Sequence, residues 1–282
     1  MTRRVAVVTD STSTLPATTV AEREIVVVPL QVVIGARSYD EGSEADPAMV
    51  AEALKEWTPV STSRPAPQAF LAAYEKAAAA GAEACVSIHL SAEMSGTFES
   101  AQMAARDASI PIEVVDTRMI GMGTGFAILS AVDALDEGAD AATAAEVARG
   151  RAAATTALFY VDTLEYLRRG GRIGAAAKLV GSALAVKPLL RIDDGRIDTL
   201  EKVRTAARAL SRLEDLAVEV AGDTAVDLAV AHLADAERAE ALAERLGKRL
   251  PAAHQVVVGE VGAVIGAHVG PGMLAVVVAP RP

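Results

Sequence analysis

A single cysteine, Cys85, stands in the 282 residues, so no disulfide can form within the chain. A lone thiol in the apolar run Ala84-Cys85-Val86 fits a reducing compartment, and the expected location is the cytoplasm. Positive charge is in deficit: 27 Lys and Arg against 37 Asp and Glu leave a net charge of −10. That balance argues against nucleic acid as a partner and leaves at most transient contact with an anionic membrane. Long apolar runs are missing as well. Met1-Thr2-Arg3-Arg4 is followed only by Val5-Ala6-Val7-Val8 before Thr9-Asp10, too short for a signal-peptide core. The longest run, Ile25 to Gly35, is broken by Gln31 and falls short of a membrane span. Histidines 89, 232, 254 and 268 are scattered, and no pair has metal-ligand spacing, so no metal is expected. There is no Gly-Lys-Ser/Thr phosphate loop. In Gly121-x-Gly123-x-Gly125 the position that would complete a dinucleotide fingerprint is Phe126, which leaves a tight strand-to-helix turn and no expected cofactor.

What the chain does have is an apolar content of 51%, carried by Ala and Val rather than by aromatics at 3%, enough to bury a large core. Strand-like and helix-like stretches alternate through the first half. Arg4–Thr9, Ile25–Ile34 interrupted at Pro29, Ala84–Leu90 and Pro111–Asp116 read as strands. Helices are expected from Pro47 to about Trp57, over 68–80, from Phe98 to about Ala108, over 126–136 and over 141–154. The segment from Thr58 to Pro67 reads as a loop, because its prolines oppose regular pairing. This order predicts βαβ units and a mainly parallel sheet, with Asp10-Ser11, Ser95-Gly96-Thr97 and Asp116-Thr117 on one rim at the strand ends. From about Thr156 the pattern changes. Asp162 reads as a helix cap with Glu165 reaching back, a second helix is expected over 175–185, and Asp194-Gly195 reads as a hairpin turn. Strands and helices then alternate to the end, with a Gly/Pro loop over 262–272 that holds His268. The expected fold is α/β in two domains. Residues 1–155 form a parallel βαβ domain carrying the anion-binding loops, and residues 156–282 an α+β domain with a mixed or antiparallel sheet.

Ser95, Gly96 and Thr97 sit where a strand hands over to a helix. Unpaired N–H groups and the helix dipole favour an anion there, and two hydroxyls flanking a glycine add donors and room. A serine hydrolase built on Ser95, His268 and Asp116 is the competing reading. A nucleophile elbow needs glycine two residues after the serine, and Thr97 stands there instead. Arg168, Arg169 and Arg172 form a basic cluster in an acidic chain, either a solvated helix end or a docking patch that Lys202 and Arg204 extend.

Taken together the motifs resemble the DegV family of bacterial fatty-acid-binding proteins. The matching stretches are Val8-Thr9-Asp10-Ser11-Thr12, Val28-Pro29-Leu30, Thr62-Ser63-Arg64-Pro65, Ser95-Gly96-Thr97, Val115-Asp116-Thr117, Thr163 to Ile173, Lys187-Pro188, Val203-Arg204-Thr205 and His268-x-Gly270-Pro271-Gly272. They span nearly the whole chain in the family's order. Arg64, where the family usually has Gln, and Thr117, where Ser is common, depart from it. The resemblance implies a two-domain α/β protein with a long-chain fatty acid, palmitate-like or oleate-like, in a buried tunnel between the domains. It implies that Thr62, Ser95 and His268 hold the carboxylate, with Ser63, Gly96 and Thr97 beside them. It further implies that the chain is a carrier and not an enzyme. The carrier would present the carboxylate to a separate, dihydroxyacetone-kinase-like fatty acid kinase that feeds phospholipid metabolism, with Arg172 and Arg204 docking that kinase. The alternative is a Ser95-dependent esterase or thioesterase. Because histidine titrates near neutral pH, ligand release is expected to respond to His268 protonation between about pH 5.5 and 8.

Overall fold

The computed structural model describes residues 4–179 and 187–281. In chain order the strands and helices are β1 (Val5–Asp10), α1 (Ala17–Glu22), β2 (Ile25–Val28), β3 (Gln31–Ile34), β4 (Arg37–Asp40), α2 (Pro47–Lys55), β5 (Val60–Ser63), α3 (Pro67–Ala79), β6 (Ala84–His89), α4 (Thr97–Ala105), β7 (Ile112–Asp116), α5 (Met122–Asp136) and α6 (Ala141–Ala154). The second half continues with β8 (Thr156–Tyr160), α7 (Glu165–Arg169), β9 (Lys187–Asp193), β10 (Arg196–Val203), α8 (Ala206–Ala221), β11 (Val226–His232), α9 (Ala236–Arg249), β12 (Ala253–Glu260), α10 (Ala263–Val269) and β13 (Leu274–Pro280).

Two compact units result: Met1–Gln31 with Ser63–Ala154, and Val32–Thr62 with Thr155–Pro282. A single boundary at 155/156 does not provide for the segment 32–62, which joins the second unit. The reason is local. Pro29 breaks the expected long strand into β2 and β3, which enter different sheets. Chain 32–62 then builds its own small sheet, in the order β4-β3-β5. Helix α2 packs against α10 in that unit, with Val50 near Gly266.

In the first unit, four parallel strands lie in the order β2-β1-β6-β7. Side chains alternate across this sheet. Ala6, Val8 and Cys85 face α3 and α4, where Phe70, Tyr74, Ala101 and Ala104 close a core with no more than 2% exposure. Full burial of a side chain such as Phe70 contributes roughly 1.5–3 kcal/mol. Val7, Val86 and Ile88 face the other side, and α5 and α6 supply its cover. A parallel sheet needs both faces covered, which accounts for the near-continuous apolar strands. Register pairs Thr9 with Ile88 and His89 with Asp116, so Asp10, His89 and Asp116 do end on one rim.

The second unit has a six-stranded sheet, β10-β9-β8-β13-β11-β12, antiparallel except for the parallel β11/β12 pair. Leu213 and Ala217 of α8 and Leu242 and Leu246 of α9 pack on Leu158, Leu189, Leu228, Val230 and Val276. The β9–β10 hairpin turns on Asp194 and Gly195, both at positive φ (48° and 80°), as the Asp-Gly pair requires.

Several local expectations are corrected. Val60–Ser63 forms a strand, because Pro59 and Pro65 flank it rather than interrupt it. Helix α5 starts at Met122, so Gly123 and Gly125 are helical and serve close packing on Met119 and Ser13. Asp162 does not cap α7. It accepts from the Tyr160 hydroxyl at 2.5 Å and from Lys187, while Glu165 turns to Arg168 and Arg169. Gly174–Leu179 is a 3-10 helix, and the rest of the helix expected to 185 lies outside the described residues. His268 stands on α10 and not in a loop. No helix among the described residues is long and apolar enough to cross a membrane.

Candidate functional site

In the first unit the chain leaves β6 at His89 and turns sharply before α4. The Ser91 carbonyl accepts the amides of Met94 at 3.0 Å and Ser95 at 3.2 Å, which coils the turn. Asp116 at the end of β7 accepts the Ala92 amide at 3.2 Å. Gly96 is the N-cap of α4 and has no side chain to accept from the first-turn amides, which point outward with the positive end of the helix dipole. Ser95 Oγ lies 2.9 Å from Thr97 Oγ1; Ser95 is half-buried and Thr97 fully buried. Ser95 is thus bonded to another hydroxyl and not to a base. Asp116 is occupied by the Ala92 and Arg118 amides. Arg64 lies across Gly96 and donates to its carbonyl at 3.3 Å; a Cβ at position 96 would overlap the guanidinium. The departure from Gln therefore adds a cation to this corner. Ser63 is exposed, and its hydroxyl donates to the Arg64 carbonyl at 3.3 Å.

In the second unit the structure brings Thr62 and His268 together across 206 residues of sequence, with Thr62 Oγ1 2.8 Å from His268 Nε2. Thr62 comes from β5 and His268 from the last turn of α10. Glu41 anchors that helix by accepting the Val264 amide at 2.7 Å in a buried setting. Gly170 packs flat on the imidazole, where any Cβ would overlap Nδ1. Nδ1 itself is buried without a hydrogen-bond partner among the described residues. Burial, and then the nearby Arg172 guanidinium, push the His268 pKa down to about 4. Both effects favour the neutral ring in the ligand-free chain. A neutral ring that donates from Nε2 leaves the Thr62 hydroxyl proton free for a ligand oxygen.

Arg172 is exposed and donates to the Gly170 carbonyl at 2.6 Å, which ties it within one peptide of the residue backing His268. Arg204 is exposed just beyond β10. Arg168 and Arg169 are both paired with Glu165, whose hydrogen bonds to them hold its pKa down at about 2. Arg169 also lies 5.3 Å over the ring of the exposed Trp57. Glu165 is thus the local carboxylate partner of both Arg168 and Arg169.

One constellation was not read from the sequence. Tyr74 donates to Ser87 Oγ at 2.8 Å, Ser87 Oγ lies 2.7 Å from His89 Nε2, and His89 Nδ1 lies 2.9 Å from Asp10 Oδ2. The order matches a hydrolase triad, but Asp10, Ser87 and His89 are all 0% exposed. The signal was the alternation Ser87-x-His89 on one face of an otherwise apolar strand, beside Asp10 at the end of its neighbour. Among the described residues no group of three or more His, Cys, Asp or Glu could hold a metal ion.

Residues 4–281 match the family model described as "Uncharacterised protein, DegV family". A DegV domain-containing protein of Streptomyces coelicolor is 54% identical over the full length of both chains. Among solved structures, a DegV family protein of Thermus thermophilus described for its fatty acid binding superposes with a TM-score of 0.93. It has 31% identity and covers 99% of this chain and 100% of its own. DegV of Bacillus subtilis, described as a fatty acid binding protein, gives 0.91 at 33% identity with the same coverage. The chain belongs to the DegV family.

Proposed function

We propose that this chain binds a long-chain fatty acid and carries it without acting on it. The likeness to the Thermus and Bacillus proteins, both described as binding fatty acids, carries this reading. The carboxylate is held by Thr62, Ser95 and His268, with Ser63, Gly96 and Thr97 contributing hydroxyls and the amides of a helix start. The geometry supports such a role in each unit, because Thr62 can turn its O–H toward a ligand and Gly96 leaves the α4 amides open.

The acyl tail supplies the affinity. About 15 buried CH₂ and CH₃ groups at ~0.8 kcal/mol each give roughly 12 kcal/mol of gross desolvation gain, before ordering and association costs. The polar groups then need only orient the head. The carrier works in the cytoplasm and presents its carboxylate to a separate, dihydroxyacetone-kinase-like fatty acid kinase, which makes the acyl phosphate for phospholipid metabolism. Arg172 and Arg204 dock that kinase.

Titration of the delipidated protein with palmitate tests the reading. Thr62→Val and Ser95→Ala should each weaken binding several-fold, and unaltered affinity in both would remove these residues from the site. Arg204→Ala should keep palmitate affinity while lowering acyl phosphate formation by added kinase; loss of palmitate affinity instead would contradict the docking role.

A further inference from the structure

The Asp10–His89 pair is buried, ionisable and unused by the function as stated. Asp10 carries four donors. Thr12 N–H and Thr12 O–H reach Oδ1 at 3.0 and 2.5 Å, and His89 Nδ1 and Leu90 N–H reach Oδ2 at 2.9 and 3.1 Å. A carboxylate with no exposure is tolerated in a core only when it is satisfied in this way. The bonds have one consistent direction. The Tyr74 hydroxyl donates to Ser87, Ser87 donates to the His89 Nε2 lone pair, and Nδ1–H donates to Asp10. The Phe70 ring packs edge-on against the imidazole, with centroids 4.9 Å apart, and fixes its plane.

The array leads straight into the anion corner. Asp10 grips the amide of Leu90, the first residue beyond β6, and so fixes the His89–Leu90 peptide. Ser91 is fully buried, and its carbonyl takes the Ser95 amide. A shift of Asp10 therefore passes along the backbone of Leu90 and Ser91 and through one hydrogen bond to Ser95 and the start of α4.

We propose that Asp10 and His89 are positioning residues that set the geometry of the Ser95-Gly96-Thr97 corner for a carboxylate, a role that rests on the fatty-acid reading above. Their contribution falls on recognition of the charged head and not on tail burial, so acid and alcohol of equal chain length report on it differently.

The test uses full-length delipidated protein and displacement of a fluorescent fatty acid by palmitate or 1-hexadecanol. His89→Gln reaches Ser87 but not Asp10, and should weaken palmitate about tenfold, the scale of one unsatisfied buried charge contact, with hexadecanol unchanged. His89→Asn places an amide N–H where Nδ1–H stood and should restore palmitate affinity. Equal losses for acid and alcohol, or no loss for palmitate while the wild type binds it, would overturn the positioning role alone. A wild type that binds no palmitate would overturn the fatty-acid reading itself. A second measurement needs no variant. The His89 Nδ1–H proton resonance of the wild-type chain should shift on adding palmitate and stay in place with hexadecanol, and a resonance indifferent to both overturns the proposal.

Discussion

Acidification tests the environment of His268. In the folded chain its pKa falls from 6.5 to about 4, through burial first and the Arg172 charge second. A histidine with a depressed folded pKa contributes stability that is fully present above pH 6.5 and is lost as pH falls toward 4, because the unfolded chain takes up the proton first. The complete shift corresponds to about 3 kcal/mol, and about 2 kcal/mol of it is lost between pH 7 and pH 5. Urea unfolding of the ligand-free protein at pH 7 and pH 5 measures that loss. His268→Gln, which lacks the titrating ring, separates it from the acid response of the rest of the chain. The wild type should lose about 2 kcal/mol more than the variant over this interval. The imidazole C–H resonances of His268 should titrate near pH 4 in parallel. Parallel stability curves, or a His268 midpoint near 6.5, would show that the ring is neither desolvated nor under the Arg172 field, and the account of the Thr62–His268 pair would fail.

Other substitutions probe the supports of the site. Glu41→Ala removes the acceptor of the Val264 amide in a buried setting and should destabilise the fold by about 1–3 kcal/mol, read as a lowered denaturation midpoint. Gly174→Ala places a Cβ against the Ile197 carbonyl at a backbone φ of +54°, so neither partner can yield, and a loss of more than about 1 kcal/mol is expected by the same assay. Gly96→Ala meets only the flexible end of Arg64 at an ordinary φ of −73°. Its stability should fall by no more than about 1 kcal/mol, the cost of an alanine at an N-cap, while Arg64 is displaced from the corner. A large destabilisation there would mean that Arg64 is fixed more firmly than its exposure implies.

The parallel sheet was legible because β-branched runs and capping residues recur at βαβ spacing. Asp46 caps α2 through the Met49 amide, and Asp194-Gly195 makes its hairpin, as their residue types require. The Ser95 corner was legible for the same reason, since a strand followed by Ser-Gly-Thr and a helix is a local pattern. What escaped the sequence is non-local. Local pattern does not join Thr62 to His268, which only the family resemblance brought together, and nothing near Val264 announces Glu41, 223 positions away. The second unit takes in residues 32–62 because an inserted sheet and α2 pack where sequence order does not lead. The His89 array was hidden because its members are spread over three elements, and each reads alone as an ordinary core residue. The lowered pKa of His268 comes from burial and the Arg172 charge, which composition does not reveal.

Mass spectrometry of the purified protein under denaturing conditions tests whether the chain carries a fatty acid, because a ligand held by its buried tail should survive purification. About one long-chain fatty acid per chain, palmitate-like or oleate-like, should be released on unfolding and be rebound stoichiometrically by the delipidated protein. A chain that releases no fatty acid and, once delipidated, fails to take up palmitate would contradict the fatty-acid reading.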